Sequence, residues 1–409
     1  MSKVISLFTG AGGMDYGFEA AGLDTAVALE FDHDCCETLR QSRMWPVLEG
    51  DIFDIPTGAI LERAGLKPKE AALVVGGPPC QPFSKSGYWA HGDARRLDDP
   101  RSGTLSAYMR VVEEALPQAF VLENVTGLAF SGKDEGLRLL LKNIERINER
   151  TGSNYQPRFE VLNAASFGVP QMRERFVLVA SRDGKPFSFP APAFSPPSEK
   201  TSLLEMGLPM YRTAWDAIGD LNLDPAEDLE VRGKWAALLP SIPEGQNYLW
   251  HTDRGGGLPL FGWRRRYWTF LLKLAKNRPS WTVQAQPGPA VGPFHWHNRR
   301  LSIRELARLQ TFPDDVKIAG GRTSAQRQLG NAVPSLLAEV LGRAISAQLL
   351  GLKPKRGALK LLPPDRSPTP APEPVAQVPR AFKKLAGAHE AHPGTGKGFG
   401  AMARVQSVA

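Results

Sequence analysis

Four largely apolar runs, Val4–Phe8, Thr25–Leu29, Leu73–Val75 and Ala119–Leu122, lead into a glycine loop or end at a carboxylate, and they constrain the fold of this 409-residue chain more than any other feature. Runs this short and this rich in branched side chains read as buried strands. Helical spacing appears over Ser102–Leu116 and Lys133–Arg150, and a further strand is expected at Phe176–Ala180. The alternation predicts an α/β fold, a doubly wound and mostly parallel sheet. Ligands of such sheets bind beyond the carboxyl ends of the strands. Gly10–Gly13, Glu30, Cys80 and Glu123 all lie just past predicted strand ends and are expected to share one edge of the sheet.

Cys80 stands in the loop Gly76-Gly77-Pro78-Pro79-Cys80-Gln81-Pro82-Phe83-Ser84. The prolines stiffen this loop and have no N–H to give to a ladder, which leaves the cysteine displayed. A displayed thiol is a candidate nucleophile; a small hydrophobe in a tight turn is the ordinary alternative. The remaining cysteines, Cys35 and Cys36, are adjacent in sequence. That count and spacing argue against a disulfide framework and against a cysteine-built zinc site. His295-Trp296-His297 offers two rings without a third ligand, so no metal is expected.

Hydrophobic residues make up 42% of the chain, enough for a sizeable core, and no apolar run is long enough to span a membrane. The N-terminus carries no charged-then-apolar signal pattern, so a cytoplasmic protein is expected. The net charge of +8 is unevenly placed, because the stretch from Leu352 to Ala409 holds ten Lys/Arg against three Asp/Glu. Proline, alanine and lysine without periodicity there predict a disordered basic tail over 352–409. Elsewhere, Arg254 to Arg300 carries nine Lys/Arg and no acid, interleaved with aromatics such as Trp263, Tyr267, Trp268 and Trp281. That mixture is the footprint of a nucleic-acid surface. A solvated basic face with a few core tryptophans is the competing reading.

Three motifs carry chemistry. Phe8-Thr9-Gly10-Ala11-Gly12-Gly13 after a strand, with Glu30 ending the next, looks like a nucleotide loop, but Asp15 stands where a dinucleotide loop has its third glycine. A carboxylate there serves a pyrophosphate poorly, and a cofactor with ribose and adenine but no phosphate, such as S-adenosylmethionine, fits better. Glu123 closes a buried strand, a setting that raises a carboxyl pKa and suits a general acid acting on a ring nitrogen. In Gln171-Met172-Arg173-Glu174-Arg175, alternation puts Gln171, Arg173 and Arg175 on one face, and the paired guanidiniums suggest an anionic or carbonyl-rich ligand. A structural glycine turn, a paired structural glutamate and a solvated strand edge are the respective alternatives.

Taken in order, these elements resemble the DNA (cytosine-5) methyltransferases. The resemblance adds Gly50-Asp51-Ile52, Asp99–Leu105, Arg304–Gln310 with Phe312-Pro313, and Gly330-Asn331-Ala332-Val333-Pro334, and it runs over Val4–Ser181 and Pro279–Leu350. It implies a methyltransferase fold with a smaller, irregular target-recognition domain. The expected divisions are a catalytic and cofactor domain at 1–182, recognition at 183–300, closing helices at 301–351, and the tail. It further implies Cys80 as the nucleophile toward C6 of cytosine, Glu123 as the group that protonates N3, and Arg173 and Arg175 as base contacts. Phe8, Gly10, Gly12, Gly13, Glu30, Phe31, Asp51, Ile52, Pro79, Leu105, Asn331 and Val333 would hold S-adenosylmethionine. Many relatives have tryptophan where Phe31 stands. Gln81, Ser84, Ser86 and Thr282 would contact double-stranded DNA, with Arg264-Arg265-Arg266 the candidate reading cluster. The implied protein is a monomer, the modification half of a restriction–modification pair whose nuclease is a functional rather than a physical partner. A tRNA methyltransferase, a catalytically dead DNA-binding protein and a nicotinamide dehydrogenase are the alternatives. Asp15 and the lack of a hydride-transfer site disfavour the last.

Overall fold

The computed structural model describes residues 2–79, 103–129, 135–196, 207–263, 267–353, 355 and 357–389. Cys80, Gln81, Ser84, Ser86 and the cluster Arg264-Arg265-Arg266 lie outside those residues. The amino-terminal part builds β1 (Lys3–Leu7), α1 (Gly13–Ala21), β2 (Asp24–Glu30), α2 (His33–Ser42), β3 (Val47–Glu49), α3 (Thr57–Ala64) and β4 (Leu73–Gly76). Next come α4 (Gly103–Ala115), β5 (Ala119–Asn124), α5 (Glu135–Thr151), β6 (Arg158–Asn163) and β7 (Glu174–Ser181). The strands form one seven-stranded sheet in the order β3-β2-β1-β4-β5-β7-β6. β1 to β5 pair in parallel, and β7 runs against both β5 and β6. The predicted doubly wound, mostly parallel sheet is therefore present.

Strand alternation divides the core in two. Ile5, Leu7, Val74, Phe120, Leu122 and Phe176 pack under α3, α4 and α5 on one face. Val4, Leu73, Val75, Val121 and Val177 pack on the other, against the closing helix. That helix, α9 (Ser335–Gln348), follows α6 (Ala214–Ile218), α7 (Ile303–Leu309) and α8 (Arg322–Asn331). A capping box opens α7: Glu305 N–H donates to Ser302 Oγ at 3.1 Å, and Ser302 N–H donates to Glu305 Oε2 at 2.7 Å. Pro334 sits at the N-cap of α9. No helix among the described residues is long and apolar enough to cross a membrane.

Over residues 357–389 the tail departs from expectation. Residues 357–389 lie along the surface as an ordered strap that ends in α10 (Arg380–Lys383). Lys360 and Leu361 N–H donate to the Glu339 carboxylate of α9, both at 2.9 Å. Arg366 pairs with Asp220 at 2.7 Å, and Ala376 N–H reaches Pro240 O at 3.0 Å. Phe382 is buried against Leu238, Leu271 and Phe294 and stacks on Trp235 with ring centroids 5.7 Å apart. Disorder was expected because no periodic apolar face exists. An extended strap needs none, since backbone hydrogen bonds and isolated side chains anchor it one at a time.

Asp15 also differs from its sequence reading. Its carboxyl turns into the sheet, fully buried, and accepts hydrogen bonds from Ser6 Oγ at 3.0 Å and Thr25 Oγ1 at 3.1 Å. It therefore presents no charge to a ligand at the start of α1. Burial pushes its pKa up to about 7, against the two hydroxyl bonds. A carboxyl raised in this way binds its proton more tightly in the folded state. Its stabilising contribution is complete below about pH 4 and is lost as the pH climbs to about 7, a change on the order of 4 kcal/mol. Urea midpoints of Asp15→Asn should accordingly fall less between pH 5 and pH 8 than those of the wild type. Parallel pH dependences would remove Asp15 as the cause.

Candidate active site at the carboxyl edge of the sheet

The strand order places the switch in winding direction between β1 and β4, and the loops after both strands open on the same edge. Phe8 holds a positive φ of 52°, and Gly10 and Gly12 follow at 56° and 83°. A left-handed phenylalanine is strained, and such strain persists where surrounding structure enforces it. Glu30 supplies part of that enforcement. Its Oε2 accepts the Gly10 N–H at 2.7 Å, and its Oε1 accepts the Phe31 and Asp32 N–H groups, each at 2.9 Å. Burial raises the Glu30 pKa, and these three backbone donors oppose the rise. The carboxylate is thereby fixed at the end of β2, and its oxygens keep acceptor capacity for hydroxyl groups.

Other predicted cofactor residues gather on this edge. Phe31 is 72% exposed, so its ring is free to stack. Asp51 Oδ1 accepts the Phe53 N–H at 3.0 Å, whereas the Ile52 side chain belongs to the core, which leaves only its backbone for a ligand. Phe53 is 51% exposed beside them and lies against the start of α4, where a Cβ on Gly103 would stand 3.2 Å from its ring. Sequence reasoning missed Phe53, although its place beside Asp51-Ile52 was the available signal. Pro79 O accepts from Thr104 Oγ1 at 3.1 Å, and Leu105 is buried next to it. Asn331 is exposed, and Val333 closes over α1 so tightly that a Cβ on Gly13 would meet Val333 O at 2.3 Å.

A second group stands at the ends of β4 and β5. Asn124 Nδ2 donates to Pro78 O at 3.0 Å, tying the end of β5 to the loop that leads to Cys80. Glu123 lies beside that tie, its side chain 11% exposed, with Oε1 2.7 Å from Arg175 Nε. The approach is oblique, an ion pair rather than an aligned hydrogen bond. Burial raises the Glu123 pKa, while Arg175 and then Arg173 pull it back. Its Oε2 occupies the space where a Cβ on Gly77 would come within 2.7 Å. Gly77→Ala is therefore expected to displace the carboxylate and to lower the turnover rate tenfold or more, with cofactor affinity by calorimetry unchanged. An unaltered single-turnover rate would mean that Glu123 tolerates the shift.

Arg173 does other work. It is 1% exposed, and its guanidinium donates to Gln171 Oε1 at 3.3 Å, Val283 O at 3.2 Å and Gly330 O at 2.7 Å. Gln171, also buried, reaches Leu309 O and Gln310 Oε1. The pair knits the start of β7 to α7, α8 and the segment around Val283, and Arg175 alone of the two arginines touches Glu123. Thr282 is exposed, and its Oγ1 donates to Met172 O at 2.7 Å.

The basic, aromatic window is less of a surface than its composition suggested. Lys276 is buried between Glu244 at 3.0 Å and Glu373 at 2.7 Å, and burial lowers Lys273 to about 8. Arg299 binds Glu305 through two hydrogen bonds, and Phe294 and Trp296 are core residues. His295 lies 3.5 Å from Glu305, and His297 lies 3.2 Å from Glu373. Arg254, Arg278, Trp268 and Trp281 do face outward.

The family model for C-5 cytosine-specific DNA methylases matches residues 2–347. This chain belongs to that family. It is 43% identical over 371 residues to the Type II methyltransferase M.SacI of Streptomyces achromogenes, covering 85% of this chain and 93% of the relative. It is 34% identical over 336 residues to M.NgoFVII of Neisseria gonorrhoeae, covering 81% and 83%. In fold it is similar to a Spodoptera frugiperda DNMT2 mutant, with a TM-score of 0.58 at 15% identity over 84% of this chain and 99% of that one. The Entamoeba histolytica methyltransferase EhMeth gives a TM-score of 0.56 at 15% identity, with coverage of 85% and 99%. The family match ends at residue 347, so the strap over 357–389 lies beyond it.

Proposed function

We propose that this chain methylates C5 of a cytosine flipped out of double-stranded DNA, as the modification half of a Type II restriction–modification pair. The observation that carries the reading is the buried Glu123, held against Gly77 by Arg175 at the root of the Cys80 loop. A cytosine within a duplex cannot offer its C6 to a thiol, so the target base must leave the stack. C5 is a poor nucleophile until C6 is substituted. The Cys80 thiolate adds to C6, Glu123 gives its proton to N3, and C5 becomes enamine-like. Phe8–Gly13, Glu30 and Phe31 would hold S-adenosylmethionine, which would supply the methyl group for that carbon. Solvent water then takes the C5 proton, the elimination expels Cys80 as a thiolate, and the N3 proton returns to Glu123. Arg173 fixes the start of β7 so that Arg175 meets the carboxylate.

Bisulfite sequencing of plasmid DNA from cells expressing the chain tests this reading. Protected cytosines confined to one sequence motif are expected. DNA without such marks, together with methylated tRNA or no product, would refute it.

A further inference from the structure

Beside Trp268 lies a cleft of about 160 Å³ whose lining includes Gln246, Asn247, Trp250 and Arg254. We propose that this cleft reads the edge of a DNA base pair, with Arg254 contacting a guanine and Gln246 the adjoining base pair. The proposal rests on the DNA-methylating reading above and assigns its sequence choice to particular side chains.

Arg254 is built for such a contact. Its guanidinium lies 3.8 Å from the centre of the Trp263 ring, which fixes its plane. Stacking leaves the in-plane N–H fork unspent, and Arg254 makes no side-chain hydrogen bond or ion pair among the described residues. That fork matches the O6 and N7 acceptors of guanine in the major groove. The loop carrying it is fixed as well. Gly255, Gly256 and Gly257 wrap Trp250 so closely that a Cβ on any of them would come within 2.6 Å of that residue. Arg254 N–H also donates to Thr252 Oγ1 at 3.2 Å.

Across the cleft, Asn247 has both ends of its amide committed, to Trp268 O at 2.7 Å and Leu249 N–H at 2.9 Å. The neighbouring Gln246 is exposed, and its amide makes no hydrogen bond among the described residues. A side-chain amide pairs bidentately with adenine. The cleft also connects to the reaction centre. Trp268 packs edge-on against Trp281 at 5.4 Å, and Trp281 precedes Thr282, which binds Met172 O between Gln171 and Arg173. No acidic residue occurs from Arg254 to Arg300, and the exposed Asp253 immediately before Arg254 is the nearest carboxylate in sequence.

The test first takes the motif that the full-length wild type methylates, then measures kcat/KM on duplexes carrying each single base-pair change. Arg254→Ala should lose roughly tenfold to a hundredfold of discrimination at one G·C pair. Gln246→Ala should lose it at an adjacent pair. Melting temperatures and S-adenosylmethionine affinities should match the wild type in both. Arg254→Lys decides the chemistry: a phosphate contact accepts an ammonium, whereas a guanine edge needs the fork. A Lys variant with wild-type discrimination, or an Ala variant that keeps it, overturns the proposal. A wild-type protein that marks no DNA overturns the broader reading along with it.

Discussion

Methylation by a Cys80→Ala protein is expected to be undetectable under conditions where the wild type completes a single turnover. The attack on C6 has no substitute, because neither water nor a neighbouring hydroxyl offers a thiolate at neutral pH. Binding should survive the change, since the thiol contributes little to holding either DNA or cofactor. A duplex carrying 5-fluorocytosine at the target position sharpens the measurement. Fluorine replaces the proton that must leave, so the wild type should form a covalent protein–DNA adduct that resists denaturing electrophoresis. The Ala variant should form none. Residual methylation without Cys80, or an adduct mapped to another residue, would dismiss the covalent route.

Glu123→Gln should lower the single-turnover rate by roughly two to four orders of magnitude. Glutamine keeps the shape and still hydrogen-bonds, but it has no proton to transfer to N3. The pH profile should separate this loss from simple misplacement. Burial holds the Glu123 pKa above its ordinary value, so the acid form persists to higher pH than in a free carboxyl. Rate should rise with pH as the Cys80 thiolate forms and fall as Glu123 loses its proton. In Glu123→Gln the falling limb should vanish while the rising limb stays. A profile of unchanged shape would assign the descending limb to another group.

Much of this architecture is legible in the sequence because a buried strand leaves a strong mark. β2, β4, β5 and β7 each carry an unbroken run of buried apolar residues, and in β1 only the buried Ser6 interrupts one. β3 and β6 carry no such mark. The first has three residues, and the first four residues of the second are exposed on the outer edge of the sheet, so neither shows a buried run. α8 was invisible for a similar reason, with Ala325 and Leu329 its only buried apolar side chains.

The candidate site was legible by residue type and less so by partner. Glu123, Arg175 and Glu30 converge on the expected edge. Which arginine meets the glutamate depends on the register of β5 against β7, which pairs Glu123 with Val177. Charge counts misled most. Lys273 and Lys276 look like surface cations in composition, but buried contacts from distant segments claim them, and Glu373 lies 97 residues from Lys276. No window of sequence holds that information.

The strap also bears on how residues 183–300, the proposed recognition segment, could be transplanted. A graft of residues 183–300 into a relative would leave Trp235 without the Phe382 ring that stacks on it. It would also leave Lys276 with one of its two carboxylate neighbours. The unit that moves intact is therefore discontinuous. It joins the proposed recognition segment to a stretch at the far end of the chain, and a swap of that segment between relatives would have to carry both pieces.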